Sequence, residues 1–167
     1  MKKVYLITGA AGHLGSALCT ELRARNTAMR ALCLRGEDTS LIRSLGAGIF
    51  FGDVTQPETM RDFFTLPEDC EGILLHCAGV VEIADKHSPL AEKINVEGTR
   101  NVMALAKEYG VSRIVYVCSV HSMPDLPKNM IKTEIDDYDP GRVEGGYAKS
   151  KAQAAKEVLA LTKEGLP

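Results

Sequence analysis

The feature that most constrains this chain is a strand-like run that breaks into spaced glycines, "KVYLITGAAGHLGSAL". Its β-branched and aromatic residues predict a strand, closed by glycine punctuation. Leu14, Leu18 and Leu22 follow at four-residue spacing, which predicts a helix with one apolar stripe. Between the two, Gly9 and Gly12 let the backbone turn tightly and approach an anion, and Gly15 lets helix and strand pack closely. The first turn of such a helix offers free N–H groups to a phosphate. The spacing G-x-x-G-x-x-G is one residue longer than the usual dinucleotide fingerprint. Its place, after a strand and opening a helix, is the context that the fingerprint requires.

The rest of the chain repeats this alternation. "MRALCL", "GIFFGDV", "GILLHCA" and "RIVYVCS" read as four more strands. Helical segments separate them: one ending at "IRSLGA" with Gly46 as a cap, a short one in "PETMRDFF" opened by Pro57, and a long one from Pro89 to Tyr109 that stops at Gly110. Residues 123–146 carry Pro, Asp and Gly without periodicity and predict an irregular excursion. A last helix spans Tyr147–Lys163, with Gly165 past its end. The expected fold class is α/β, a doubly wound parallel sheet of Rossmann type with helices on both faces, formed by residues 1–167 as one dinucleotide-binding domain.

Composition narrows the functions. A formal net charge of -2 supplies no basic field for nucleic acid or anionic membranes, and without Trp there is little to stack on bases. Neither nucleic acid nor membrane is therefore an expected partner. The apolar N-terminal run is interrupted by Gly9, Gly12, His13 and Gly15, too early for a secretory signal, and no stretch reaches membrane-spanning length. Five cysteines, an odd number without any C-x-x-C, fit free thiols in a reducing, cytoplasmic setting. The histidines at 13, 76, 87 and 121 show no ligand spacing, so no metal site is expected.

The end of the second strand should carry the residue that reads the cofactor ribose. There the sequence is "ALCLRGED". Arg35 stands where an acid would select the free 2′-hydroxyl of NAD, and a guanidinium suits a 2′-phosphate, so NADP is the preferred expectation and NAD the alternative. In the alternative, Arg35 is a solvated surface residue and Glu37 or Asp38 contacts the ribose. Asp53 in "FFGDVT" is a candidate acceptor for the adenine amino group, with Val54 near the ring; equally, it starts a turn before Pro57.

The ordered pieces "TGAAGHLG", "GDVT", "HCAG", "NVEGT", "RIVYVCS" and "YAKSK", spread over residues 4–151, resemble the extended branch of the short-chain dehydrogenase/reductase superfamily. "RALCLR" and "RIVYVCS" are similar to its dihydroflavonol-reductase and 3β-hydroxysteroid-dehydrogenase-like members, while nucleotide-sugar epimerases and dehydratases share most of the motifs. The resemblance implies the strand order 3-2-1-4-5. It also implies a cofactor site drawn from Gly9, Ala11, Gly12, His13, Leu14, Gly15, Arg35, Asp53, Val54, Cys77, Ala78, Gly79, Asn95, Tyr147 and Lys151. Asn95 is read mainly as structural, linking the long helix to the fourth strand. His76 and Cys77 are expected beneath the nicotinamide side of the sheet.

Tyr147 and Lys151 lie four apart and share a helix face. A free phenol titrates near 10, and a neighbouring ammonium favours the phenolate. The resemblance implies that Tyr147 acts as general acid/base, that Lys151 also holds the nicotinamide ribose, and that Ser119 holds the substrate oxygen. Ser122 is a rival, Cys118 replaces the small hydroxylic residue common there, and His121 stands beside the serine. The expected activity is hydride transfer between nicotinamide and a carbonyl or hydroxyl carbon of a small molecule. The alternatives are an NAD-dependent epimerase or dehydratase of nucleotide sugars and a non-catalytic NADP sensor.

Two further expectations concern the whole protein. The family's fold continues past "EGLP" into a sixth strand and a C-terminal substrate domain, so the sequence reads as the first portion of a longer fold rather than a short form. The resemblance also suggests a homodimer through the 89–109 and 147–163 helices. Val102, Leu105, Ala106, Val158, Leu159 and Leu161 would supply its surface unless they face the sheet.

Overall fold

In a computed structural model, residues 1–82 and 88–167 are described; His87 lies outside them. Five parallel strands form one sheet in the order β3-β2-β1-β4-β5. They are β1 (Lys2–Thr8), β2 (Ala28–Cys33), β3 (Gly48–Phe51), β4 (Cys70–His76) and β5 (Arg113–Tyr116). The helices are α1 (His13–Ala24), α2 (Ser40–Ser44), α3 (Arg61–Phe64), α4 (Pro89–Ala91), α5 (Thr99–Glu108) and α6 (Gly146–Lys163). Glu92–Gly98 joins α4 to α5 in π-helical geometry, so the long predicted helix is one element with a widened turn in its middle. The irregular excursion holds a short 3₁₀ turn at Pro140–Arg142, and another at Val120–Ser122 precedes it.

Side chains of a strand alternate between faces, and here each face meets its own apolar layer. Val4 and Leu6 pack with Phe63, Phe64, Val102 and Leu105, while Ile7 packs with Cys19, Leu22 and Ile42. A central strand covered on both sides needs apolar residues at nearly every position, which is why "KVYLIT" shows no polar alternation. Completely burying a side chain of the size of Leu6 or Phe63 stabilises by about 2 kcal/mol each.

The helix after the glycines is rotated from its predicted stripe. Gly15, Cys19 and Leu22 are buried, whereas Leu14 is 44% exposed. The cause is backbone contact: a Cβ on Gly15 would lie 2.2 Å from the Gly9 carbonyl oxygen, so residue 15 faces the sheet and the line 15–19–22 follows it. Leu14 is turned toward the carboxyl edge instead.

Most of the apolar residues weighed for a dimer contact follow their alternative and face the sheet layers. Val102, Leu105 and Ala106 belong to the layer against the sheet, and Val158 is buried against Met103. Of the six residues, Leu159 and Leu161 alone are partly exposed. The outer side of these helices instead carries an ion pair, Arg100 to Glu157 at 2.9 Å.

Candidate active site

The carboxyl edge of β1 to β4 holds a cleft of about 510 Å³. The glycine turn forms its floor with Gly9, Gly12, His13, Leu14 and Gly15. Leu34, Asp53, Val54 and the segment Cys77–Val81 form its walls, with Ile94 from the π turn. Gly9 has φ +63, and a Cβ on it would stand 2.8 Å from the Ala78 Cα, so the turn presses directly on the loop after β4. Ser16 makes the first helical bond to the Gly12 carbonyl, which leaves the N–H groups of His13, Leu14 and Gly15 without intrahelical acceptors. Gly12 caps α1 without a side chain, and no acid stands in the first turn. These donors suit an anionic diphosphate.

Most of the predicted cofactor residues gather here. Gly9, Gly12, His13, Leu14, Gly15, Asp53, Val54, Cys77, Ala78 and Gly79 line the cleft. Asp53 follows its turn reading. Its Oδ1 accepts from the Thr55 amide and hydroxyl, closing a turn, while the residue still borders the cleft. Burial pushes the thiols of Cys33 and Cys77 up, the latter to about 11, so both are wall groups rather than nucleophiles.

Five predicted residues sit elsewhere, Tyr147 and Lys151 among them. Ala11 packs behind the turn against the α1 layer. Arg35 lies outside the lining, its guanidinium 5.9 Å over the Phe51 ring. The acid weighed against it, Glu37, does line the cleft, and its carboxylate accepts from the Leu34 amide at 2.8 Å. Asn95 is buried, and its amide is committed within the protein. Oδ1 accepts from Val80 N at 2.8 Å, and Nδ2 donates to the Val80 carbonyl and to Ser150 Oγ, each at 3.0 Å. It thus ties the π turn to the β4 loop and to α6, one position before Lys151.

Ser119, Tyr147 and Lys151 stand one strand further along. Ser119 follows β5, is half-buried, and accepts from the His121 amide, which leaves its own O–H free to donate. Ser122 is completely buried and gives its proton to the Ser119 carbonyl, so Ser119 is the reachable hydroxyl of the two. The half-buried Tyr147 ring meets the His121 imidazole edge-on at 6.3 Å, which brings the first turn of α6 to the serine loop.

Lys151 departs from the simple expectation. It is 6% exposed, and its ammonium donates to the Val117 carbonyl at 2.7 Å rather than to its helical neighbour Tyr147. Burial lowers its pKa, while the thiols of Cys118 and Cys77 act in the opposite sense.

The sequence reading missed a buried polar hub between cleft and lysine. Thr8 Oγ1 accepts from the amides of Cys77 and Ala78 at 3.2 and 3.1 Å, so its own proton goes to His76 Nδ1 at 2.7 Å. That fixes the tautomer: Nε2–H donates to Thr99 Oγ1 at 3.0 Å. A threonine just before the glycines and a histidine closing an apolar strand were the available signals. Burial, and secondarily the Lys151 charge, lower the His76 pKa from 6.5 to about 3. The unfolded chain therefore binds a proton in this window that the folded protein refuses. Stability is full above about 6.5 and falls as pH drops toward about 3. Urea unfolding one unit below the ordinary histidine value should show a loss of about 1.4 kcal/mol that a His76→Gln variant lacks. An unchanged pH slope in that variant would remove His76 as its source.

Among the described residues no His, Cys, Asp or Glu cluster is placed to hold a metal, and no helix is long and apolar enough to cross a membrane. The pattern described as the NAD dependent epimerase/dehydratase family matches residues 5–166. The chain is 30% identical over 165 residues to sterol demethylase protein B of Methylococcus capsulatus, covering 96% of this chain and 48% of that one. It is 29% identical over 153 residues to a 4-hydroxy-2-methyl-3-oxo-4-farnesyl-3,4-dihydroquinoline-1-oxide ketoreductase of Stigmatella aurantiaca, covering 92% and 44%. The crystal structure of gox2253 superposes with a TM-score of 0.82 at 34% identity, covering 98% of this chain and 49% of that one. The chain thus spans about half the length of the relatives it matches. With a matching sheet order, a glycine-turn cleft and a match over nearly its whole length, the chain belongs to the NAD dependent epimerase/dehydratase family, among the extended short-chain dehydrogenases/reductases.

Proposed function

We propose that this chain carries the cofactor-binding and proton-handling part of a nicotinamide-dependent carbonyl reductase or alcohol dehydrogenase. The reading is supported by the contacts that group Ser119, Tyr147 and Lys151 around the loop after β5: Ser119 accepts from the His121 amide, the Tyr147 ring meets His121, and Lys151 donates to the Val117 carbonyl. The bound dinucleotide supplies or accepts the hydride. The N–H groups of His13, Leu14 and Gly15 hold its diphosphate, and Asp53 and Val54 border the adenine end. Ser119 donates to the substrate oxygen and fixes its place. Tyr147 gives that oxygen a proton in reduction and takes one in oxidation. Lys151 adds positive charge on the same helix. The ketoreductase named among the relatives supports reduction of a carbonyl. The family description supports a second reading, epimerase or dehydratase. A cofactor sensor would have no use for the Tyr147–Lys151 pair.

For the cofactor we propose NADP, read by Arg35 at the end of β2. Glu37, already in the cleft wall, supports NAD as the second reading. Fluorescence titration with NADPH and NADH decides between them. Arg35→Ala should weaken NADPH binding about tenfold and leave NADH binding unchanged. An equal loss for both cofactors, or none for either, removes the phosphate-reading role. A panel of ketones and aldehydes, followed by NADPH absorbance, tests the reaction class.

A further inference from the structure

The lysine of the site is held by more than a carbonyl. The Tyr116 ring lies under its ammonium, with Nζ 4.8 Å from the ring centroid. The same ring stacks on His76, centroids 5.7 Å apart and planes at 27°. The Tyr116 hydroxyl is buried and makes no hydrogen bond of ordinary geometry among the described residues, although the Thr99 hydroxyl lies near enough to act on its titration.

We propose that Tyr116 is a positioning residue for Lys151: its ring face and the Val117 carbonyl together keep a buried ammonium in place beside the substrate site. The inference rests on the proposed role of Lys151. Taking an ammonium out of water is costly unless partners replace the lost solvation. One carbonyl satisfies one of its three N–H donors. The negative face of an aromatic ring attracts the remaining charge, most strongly where water is absent. His76 can stack on the same ring beside Lys151 because burial keeps it neutral; a charged imidazole there would repel the ammonium. The hub Thr8–His76–Tyr116 therefore links the glycine turn to the lysine through side chains alone.

The test reads the lysine directly, in the full chain. Acetic anhydride acetylates neutral, accessible amines, and peptide mass spectrometry compares Lys151 with exposed Lys149 on the same helix. Tyr116→Phe should leave the Lys151/Lys149 ratio unchanged, because the ring face remains and only the hydroxyl goes. Adding one, two and three ring fluorines to that phenylalanine keeps its shape while draining the ring face. Lys151 labelling should then rise stepwise, to about tenfold with three. Tyr116→Leu should raise it similarly; should that variant fail to fold, the fluorinated series still gives the answer. A flat ratio across the series overturns the proposal, whatever the activity. A rising ratio with unchanged cofactor affinity and turnover keeps Tyr116 as the anchor and removes Lys151 from the proposed reaction.

Discussion

Tyr147→Phe should lower turnover about a thousandfold while leaving cofactor affinity unchanged. The phenol is the group assigned to exchange a proton with the substrate oxygen, and phenylalanine has no proton to exchange. The ring that meets His121 edge-on stays, and Ser150 still donates to the backbone carbonyl of residue 147, so α6 keeps its first turn. Stability should change by no more than about 0.5 kcal/mol. Steady-state kinetics with a reducible carbonyl, set beside an NADPH titration, separates chemistry from binding. Wild-type turnover in this variant would show that another group handles the proton and would return His121 to consideration. A protein that only senses the cofactor would give the same signal before and after the change.

Gly15→Ala should produce the largest loss of stability of any single-methyl addition in the cleft floor, about 3 kcal/mol. Its Cβ would fall 2.2 Å from the Gly9 carbonyl oxygen and 2.7 Å from the Ala10 Cα. Both neighbours are backbone, so no rotamer can relieve the contact, and α1 must move off the sheet. Gly12→Ala is the control. Its Cβ meets only the Gly9 oxygen at 3.2 Å, which a small shift accommodates. Urea midpoints at constant slope should therefore fall sharply for residue 15 and little for residue 12. Cofactor affinity should fall with the first change, because the displaced helix carries the free N–H donors. Equal midpoints would mean that the helix seat is set by its apolar residues instead.

The parts legible in the sequence are those written in backbone and period. Gly9, Gly12 and Gly15 mark a turn that few other residues can make, and the order of motifs along the chain was enough to place five strands. Tyr147 and Lys151 share a face simply because a helix repeats every 3.6 residues. What was not legible depends on direction in three dimensions. The stripe of α1 is displaced from Leu14–Leu18 because a backbone contact, not hydrophobicity, sets its rotation. Arg35 and Glu37 are two residues apart, and nothing local says which turns into the cleft. Tyr116 reads as an ordinary strand residue, since its importance comes from a lysine far along the chain that comes to rest on its ring.

The widened turn at Glu92–Gly98 has a consequence for how such a chain can vary. It lets Asn95 face inward, where its amide holds both the Val80 backbone and Ser150. Each residue of a helix advances the next by about 100°. Losing one residue from this segment would restore ordinary helical winding and swing position 95 by about that angle, away from both partners. Insertions and deletions are thus confined: the mostly exposed residues 125–134 can change length at low cost, whereas the segment 92–98 is locked at its present count although nothing in its composition marks it.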